Sequence, residues 1–223
     1  MAGQWLSAAY IHEGGVNGDR LFAFRDTKTH RESLPYLTAR ERHDMILAQP
    51  FLLNEPDVDE RYPHSFEARA IVDLTGYGYL PITSPNLLEH IAEPGRISVE
   101  YSPHGIKDKS DISLISMATI EHIAHELGEH PAPMRFRANI YMTSDPEPFL
   151  EDRLIGKHIT IGSVMLRIDD RIRRCSIPCL KPQTAEYDER ILTLLSERGG
   201  YAGVHASVIA PGTVRNGFAI RTL

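Results

Sequence analysis

Hydrophobic and polar positions alternate with a period of two in several short segments of the chain, and such alternation predicts strands. Two of these segments, 19–25 and 96–101, lie in the first hundred residues. The others lie beyond residue 134 and are separated by glycines. They are 135–143, 159–161, 164–168, 204–209 and 218–221. The second half of the chain is therefore predicted to form a mixed sheet or barrel.

Helical signals occur in four other segments. Thr38–Glu41 has the form of a capping box, and Ser84-Pro85 offers an N-cap followed by proline at the first helical position. Ser116–Gly128 has hydrophobic residues at helical spacing and a glycine that can end the helix. A last helix is predicted between a cap at Asp188 and the pair Gly199-Gly200. Together with the strands, these peripheral helices indicate an α+β fold.

Composition narrows the class of protein. The chain has 223 residues, 42% hydrophobic and 24% charged, as in ordinary globular proteins, and it can bury a substantial core. No hydrophobic run approaches the roughly 18 residues that span a bilayer, and the first residues lack the features of a secretory signal. A net charge of −6 argues against nucleic acid as a partner. We therefore expect a cytoplasmic protein with neither a membrane nor a nucleic-acid partner.

Cys175 has the surroundings of a reactive or metal-binding thiol. Arg173 and Arg174 precede it, and positive charge beside a thiol favours the thiolate, the form that ligates metals or attacks electrophiles. The alternative is that Cys175 is a small buried hydrophobic residue at the end of a strand. Cys179 follows a proline that interrupts a regular helix, and the spacing of the two cysteines matches neither a zinc knuckle nor a Cys-x-x-Cys motif. A structural role is predicted for Cys179.

The histidine-rich segment 122–130 is close to the zinc-binding His-Glu-x-x-His pattern but does not match it. His125 and His130 are five positions apart, about 140° around a helix, so they do not share a face. The pairs His122/His125 and Glu126/His130 have usable spacing but lie opposite the hydrophobic face. The segment is therefore predicted to form the solvent-exposed side of its helix.

Two groups of polar residues are suited to an anionic ligand. Arg135, Arg137 and Asn139 share one side of the predicted strand 135–143, and such a row of donors can receive an anionic, hydrogen-bonding ligand. A solvent-exposed strand face has the same pattern. Arg20, at the start of another predicted strand, is suited either to phosphate or to a surface ion pair. Neither group identifies a site by itself.

Eight short motifs follow one another in a characteristic order. They are Gly18–Phe24, Tyr36–Glu41, Ile112–Ser116, Arg135–Asn139, Glu147–Asp152, Ile161–Val164, Arg174–Pro178 and Pro211–Val214. Read together, they resemble the MOSC domain family (molybdenum cofactor sulfurase C-terminal domain) across most of the chain. The resemblance implies a strand-rich mixed β-barrel with peripheral helices at 101–223 and a smaller N-terminal α/β module at 1–100.

The resemblance also implies a cofactor and its ligands. In the family, the cysteine that follows the arginine of the seventh motif is the protein ligand of molybdenum, and it maps to Cys175. A thiolate is a fitting soft donor beside the two dithiolene sulfurs of a molybdenum-pterin cofactor (molybdopterin). The expected cofactor contacts are Arg20, Ser116, Arg137, Asn139 and Arg174.

One expected motif is absent. Members of the family usually begin with a strand that carries a Tyr-Pro-Val-Lys-Ser-like motif, whose lysine and serine help to bind the cofactor. The first 17 residues of this chain contain no lysine. Either another group substitutes for it, or the sequence begins inside the protein, or the cofactor is bound weakly.

Relatives that resemble this chain reduce N-hydroxylated compounds such as amidoximes and hydroxylamines, which makes a molybdenum-dependent oxidoreductase the first hypothesis. The chain has two cysteines and cannot provide the four thiolates of a plant-type iron–sulfur cluster. A separate electron-transfer protein or reductase is therefore expected as a partner. The alternatives are a cofactor carrier or sulfur-transfer module without redox turnover, and a binding module that has lost its metal.

Overall fold

The computed structural model describes residues 1–29, 34–55, 57–107, 109–143 and 146–223. Within these ranges the strands are β1 (Ala8–His12), β2 (Gly15–Val16), β3 (Phe22–Asp26), β4 (Gln49–Leu52), β5 (Ala70–Leu74), β6 (Gly78–Pro81), β7 (Ile97–Tyr101), β8 (Ile112–Ser116), β9 (Ile140–Met142), β10 (His158–Ile161), β11 (Val164–Arg173), β12 (Tyr201–Ala210), β13 (Gly212–Arg215) and β14 (Ile220–Thr222). The helices are α1 (Pro85–Ile91), α2 (Met117–Leu127) and α3 (Arg190–Ser196). Short 3-10 helices span His43–Leu47, Pro133–Arg135, Leu150–Leu154 and Ile177–Cys179.

The largest sheet has six strands in the order β14-β10-β11-β12-β8-β9 and curls into a half-barrel. Neighbouring strands are antiparallel except β8 and β9, which are parallel, so the sheet is mixed. Alternating hydrophobic residues form the inner face of this sheet. Val164, Leu166 and Ile168 of β11 are completely buried, whereas the residues between them are not. Helices α2 and α3 pack against the sheet through a second hydrophobic cluster. The predicted strand-rich α+β fold is confirmed.

A three-stranded sheet joins the two ends of the described chain. Its order is β13-β1-β2, and Ala8–Ile11 of β1 pair with Gly212–Arg215 of β13. The chain leaves β2 in a turn that contains Gly18, Asp19 and Arg20 before β3 begins. This sheet thereby places the turn with Arg20 beside the C-terminal half of the molecule.

Residues 22–101 build a hydrophobic core of their own. It is formed by the sheet β4-β5-β6, the pair β3-β7 and helix α1, and its most buried side chains are Val72 and Leu87. Helix α1 begins with proline at its first turn, as the Ser84-Pro85 pair predicts. The module boundary at residue 100 stays a prediction. Among the residues that the structure describes, none of the helices combines the length and apolarity needed to cross a bilayer.

A buried histidine, His12, ends strand β1. His12 is 2% exposed, and its Nδ1 accepts a hydrogen bond of 2.8 Å from the backbone N–H of Gly14. The edge of the His104 ring faces it at a centroid distance of 6.2 Å, and His104 Nε2 is 2.7 Å from His64 Nδ1. Burial, followed by the charge of Arg61, lowers the pKa of His12 to about 4. His12 is therefore neutral in the folded protein at neutral pH.

We expect acid to destabilise the fold through His12. His12 in the unfolded chain is protonated below its ordinary pKa of about 6.5, whereas His12 in the folded protein stays neutral down to about pH 4. The free energy of unfolding therefore falls as the pH decreases from about 6.5 to about 4. The free energy of unfolding should drop by about 2 kcal/mol between pH 7.5 and pH 5 through this residue. Urea unfolding of the wild type and of His12→Asn, which retains an acceptor for Gly14, measures the difference. An equal drop in both proteins would refute the assignment.

Candidate functional site

Cys175 is exposed and lies just beyond the end of β11. Nη2 of Arg40 donates a hydrogen bond to its Sγ at 3.5 Å. This contact links positions that are 135 residues apart in the sequence. Cys175 is thus available to a ligand. Its exposure argues against the alternative that it is a buried hydrophobic residue.

Arg174 turns its guanidinium into the protein beside Cys175. Nε donates to the carbonyl of Ala202 at 2.8 Å and Nη1 to the carbonyl of Phe136 at 2.9 Å. Nη2 is buried and has no hydrogen-bond partner in the described part of the chain. Burial lowers the pKa of Arg174 to about 10, although the nearby Cys175 opposes this shift. The result is a fixed cation with one unsatisfied donor.

Gly203 makes room for this arginine. Its φ is +76°, a conformation that residues with a Cβ rarely adopt. A Cβ at this position would lie 2.7 Å from the carbonyl oxygen of Leu114 and 2.9 Å from Nη2 of Arg174. Glycine at this position therefore lets β12 approach β8 and leaves space for the guanidinium of Arg174.

The strand predicted over 135–143 is wrong in its first half, and so is the row of donors placed on it. Residues 133–135 form a 3-10 helix, and only 140–142 are a strand. Arg135 is buried at 5% exposure, with Nη1 donating to Glu129 Oε2 at 2.7 Å. Arg137 has a φ of +51°, which breaks any strand at that point. Arg135 is therefore a structural residue, and Arg137 and Asn139 do not form a common strand face with it.

Arg137 nevertheless points into the same region as Arg174. Its Nη1 donates to the carbonyl of Met1 at 2.7 Å. Burial lowers the pKa of Arg137, the positive charge of Arg20 lowers it further, and Asp19 and Cys175 act in the opposite direction. Arg20, Arg137 and Cys175 are thus close enough to interact electrostatically.

Asn139 ties β8 to the Arg20 turn. Its Oδ1 accepts from the backbone N–H of Ser113 at 3.0 Å and from the Ser113 hydroxyl at 2.9 Å. Its Nδ2 donates to Asp19 Oδ2 at 3.1 Å, and the same carboxylate forms an ion pair with Arg20. Arg20 itself has a φ of +53° and is exposed. Asn139 therefore holds the turn that contains Arg20 in place through hydrogen bonds within the protein.

Ser116 caps helix α2, as the sequence predicts. Its Oγ accepts from the backbone N–H of Ala118 at 3.2 Å, and Gly128 ends the helix in the left-handed conformation. The carboxylate of Glu151 is 1% exposed at this end of the helix, where Thr119 Oγ1 lies 2.9 and 3.0 Å from its two oxygens. Burial raises the pKa of Glu151, while the backbone N–H of Ser116 acts in the opposite direction.

The two remaining sequence predictions concern Cys179 and the histidine-rich segment. Cys179 is completely buried, and burial raises the pKa of its thiol, in keeping with a structural role. His122, His125 and His130 are exposed on α2 and just beyond it. Among the described residues, no group of three His, Cys, Asp or Glu side chains is arranged to hold a metal ion.

Sequence reasoning did not find Arg40 or Glu151 as site residues. Both lie inside motifs that indicate other features, the Thr38–Glu41 capping box and the Glu147–Asp152 motif. Nothing in the local pattern places Arg40 against Cys175, because that contact arises from the packing of distant segments. The chemical result is an exposed thiol surrounded by guanidinium groups, one of them with a buried free donor.

Comparison with known proteins gives one family and several distant relatives. A sequence profile described as the MOSC domain matches residues 101–221, more than half of the chain. A protein of Caenorhabditis briggsae named molybdenum cofactor sulfurase is 24% identical over 174 residues, which are 77% of this chain and 23% of that protein. The chain thus spans about a quarter of the length of that relative.

Two solved structures illustrate how distant the structural relatives are. The YUAD protein from Bacillus subtilis is 16% identical, with 98% of this chain and 86% of that chain covered and a TM-score of 0.49. YiiM from Geobacillus stearothermophilus is 14% identical, with 51% of this chain and 54% of that chain covered and a TM-score of 0.40.

Proposed function

Because the chain belongs to the MOSC domain family, we propose that it binds a molybdenum-pterin cofactor through Cys175 and reduces N-hydroxylated compounds. The observation that carries the proposal is the exposed thiol of Cys175 beside Arg174, whose buried Nη2 has no hydrogen-bond partner among the described residues. A buried guanidinium nitrogen without a partner is costly unless a ligand satisfies it.

The residues around Cys175 fit such a cofactor in charge and in donor type. A thiolate is a soft donor of the kind that molybdenum takes beside dithiolene sulfurs. Arg20, Arg137 and Arg174 offer positive charge and N–H groups to the anionic part of the ligand. When bound, the cofactor supplies the two-electron chemistry that removes oxygen from an N–O bond.

Some of these residues are proposed to contact the cofactor, and others position the residues that do. Arg174 is fixed by two carbonyl groups and therefore presents its third nitrogen in a constant direction. The side-chain amide of Asn139 is hydrogen-bonded to Ser113 and Asp19, so we assign Asn139 mainly to orienting the turn with Arg20. Ser116 accepts one hydrogen bond through Oγ, and a hydroxyl that accepts can also donate its own proton to a ligand.

Reduction of an N-hydroxylated compound consumes two electrons and two protons, breaks the N–O bond and releases water with the amine or amidine. Two cysteines in the sequence rule out a four-thiolate iron–sulfur cluster within this chain. We therefore propose that the electrons come from an electron-transfer protein or reductase that docks with this chain. We place this protein among small-molecule reductases that depend on such a carrier.

A second candidate function is a cofactor carrier or sulfur-transfer module. The exposure of Cys175 favours it, because an accessible thiol can also hold a persulfide or hand over a cofactor. The relative named molybdenum cofactor sulfurase points in the same direction. The two functions share their binding residues and differ only in turnover.

Cofactor content and turnover separate the possibilities. The protein is purified from a host supplied with molybdate, its molybdenum per chain is measured, and benzamidoxime reduction is followed with an artificial electron donor. We expect bound molybdenum and formation of benzamidine. Bound metal without turnover under any donor would support the carrier, and metal-free protein would overturn the binding proposal itself.

A further inference from the structure

Arg40 brings a positive charge to Cys175 from the N-terminal half of the chain. Its Nη2 donates to Sγ at 3.5 Å, within the range of a hydrogen bond to sulfur. Arg40 is half-buried and Cys175 is exposed, so the contact lies at the mouth of the site. Arg174 approaches the same thiol from the protein interior.

The turn that carries Arg40 is held by its own side chains. Thr38 Oγ1 donates to Glu41 Oε2 at 2.6 Å, and the same carboxylate oxygen accepts from the backbone N–H of Thr38 at 3.1 Å. The backbone N–H of Arg40 donates to Thr38 Oγ1 at 3.2 Å. The predicted capping box thus forms, but it closes a turn before the 3-10 helix His43–Leu47 instead of opening an α-helix. Its effect is to fix the direction in which Arg40 leaves the backbone.

A second contact joins the same two segments. The ring of His43 stacks on that of Tyr187, with centroids 5.5 Å apart and an angle of 13° between the planes. Tyr187 in turn forms an isolated β-bridge with Leu180, which directly follows buried Cys179. The Arg40 turn is therefore attached to the Cys175 segment at two points.

We propose that Arg40 is a further residue of the cofactor site, which completes the positive surroundings of Cys175 and positions its sulfur for an anionic, metal-bearing ligand. The inference rests on the proposed function, since it assumes that Cys175 takes such a ligand. Its physical basis is independent of metal: a guanidinium 3.5 Å from Sγ makes the electrostatic potential at the sulfur more positive. Residues 38–43, from the N-terminal half of the chain, then belong to the site.

Charge at the sulfur can be measured without the cofactor. Metal-free protein is alkylated with iodoacetate, which is anionic, and with iodoacetamide, which is neutral, and modified Cys175 is quantified by mass spectrometry. The ratio of the two rates cancels changes in access and in the thiolate fraction, and it reports the local potential. We expect Arg40→Ala to lower the ratio about threefold. Arg40→Lys, which retains the charge, should stay close to the wild type.

Arg42→Ala is the matched control, because Arg42 lies in the same turn but pairs with Asp44 and with the carbonyl of His90. Its ratio should not change. Molybdenum per chain in protein from a molybdate-supplied host should fall in Arg40→Ala and recover in Arg40→Lys. An unchanged alkylation ratio in both Arg40→Ala and Arg40→Gln would overturn the role of Arg40. A changed ratio in protein that never contains molybdenum would overturn the proposed function but keep Arg40 as the cation at Cys175.

Discussion

Purified Cys175→Ala protein is expected to contain less than about a tenth of the molybdenum found in the wild type. Cys175 is the thiol in the described structure that is exposed and surrounded by arginines, whereas the other cysteine is buried. Alanine removes the soft donor and leaves the guanidinium groups, which can still attract the anionic part of the cofactor but cannot bond to the metal. Metal analysis after gel filtration gives the ratio of molybdenum to protein.

Cys179→Ala is the matched control, because Cys179 lies four positions away and has no exposed surface. It should keep most of its metal, with at most a modest loss of stability from the small cavity. Pterin fluorescence after oxidation reports whether the organic part is still bound in either variant. Wild-type metal content in Cys175→Ala would remove Cys175 as the ligand.

Gly203→Ala is expected to reduce the free energy of unfolding by about 3 kcal/mol. Part of this cost arises because alanine is strained at a φ of +76°. The rest arises because the new Cβ would lie 2.7 Å from the backbone oxygen of Leu114, which cannot move without disturbing the pairing of β12 with β8. The variant should also displace Arg174, which lies 2.9 Å from the same point, and so bind less cofactor.

Gly217→Ala separates the two contributions to this cost. Gly217 has a similar φ of +82°, but an added Cβ there meets nothing within 4 Å. Its substitution should cost about 1 kcal/mol, the strain of the backbone alone. Urea unfolding of both variants provides the comparison. If they were equally stable, the close approach of β12 to β8 would not be the reason for glycine at 203.

The long strands and the α2 helix could be predicted from the sequence because their burial pattern repeats locally. Val164, Leu166 and Ile168 alternate with less buried neighbours, and the segment after Ser116 follows the spacing of a helix. Packing against the rest of the protein strengthens these patterns and does not override them. The strand-rich α+β fold follows from such segments.

The segment 135–139 could not be predicted in this way. Its alternation of Arg135, Phe136 and Arg137 has the period of a strand, but the chain instead needs a left-handed residue at Arg137 to reach β9. Arg135 is buried because Glu129 pairs with its charge through Nη1 and the carbonyl of Pro178 accepts a hydrogen bond from its Nε. Partners that lie in other segments are invisible to a local pattern.

The candidate site divides along the same line. Cys175 and Arg174 stand in a recognisable motif, so the sequence alone is enough to propose them as site residues. The contact of Arg40 with Cys175 depends on how two halves of the chain pack, and no spacing in the sequence encodes it. Arg40 is our proposal for a further cation at this thiol.

The pairing of β1 with β13 delays the assembly of this sheet until late in the synthesis of the chain. Residues 8–11 leave the ribosome about 200 residues before their partners at 212–215 exist. Until then the sheet that supports Arg20 is incomplete, and its first strand has an unpaired edge that neighbouring chains can meet. The proposed cofactor site is therefore complete only after residues 212–215 have been synthesised, and a chain that stops before residue 212 would carry Cys175 without the sheet that supports Arg20.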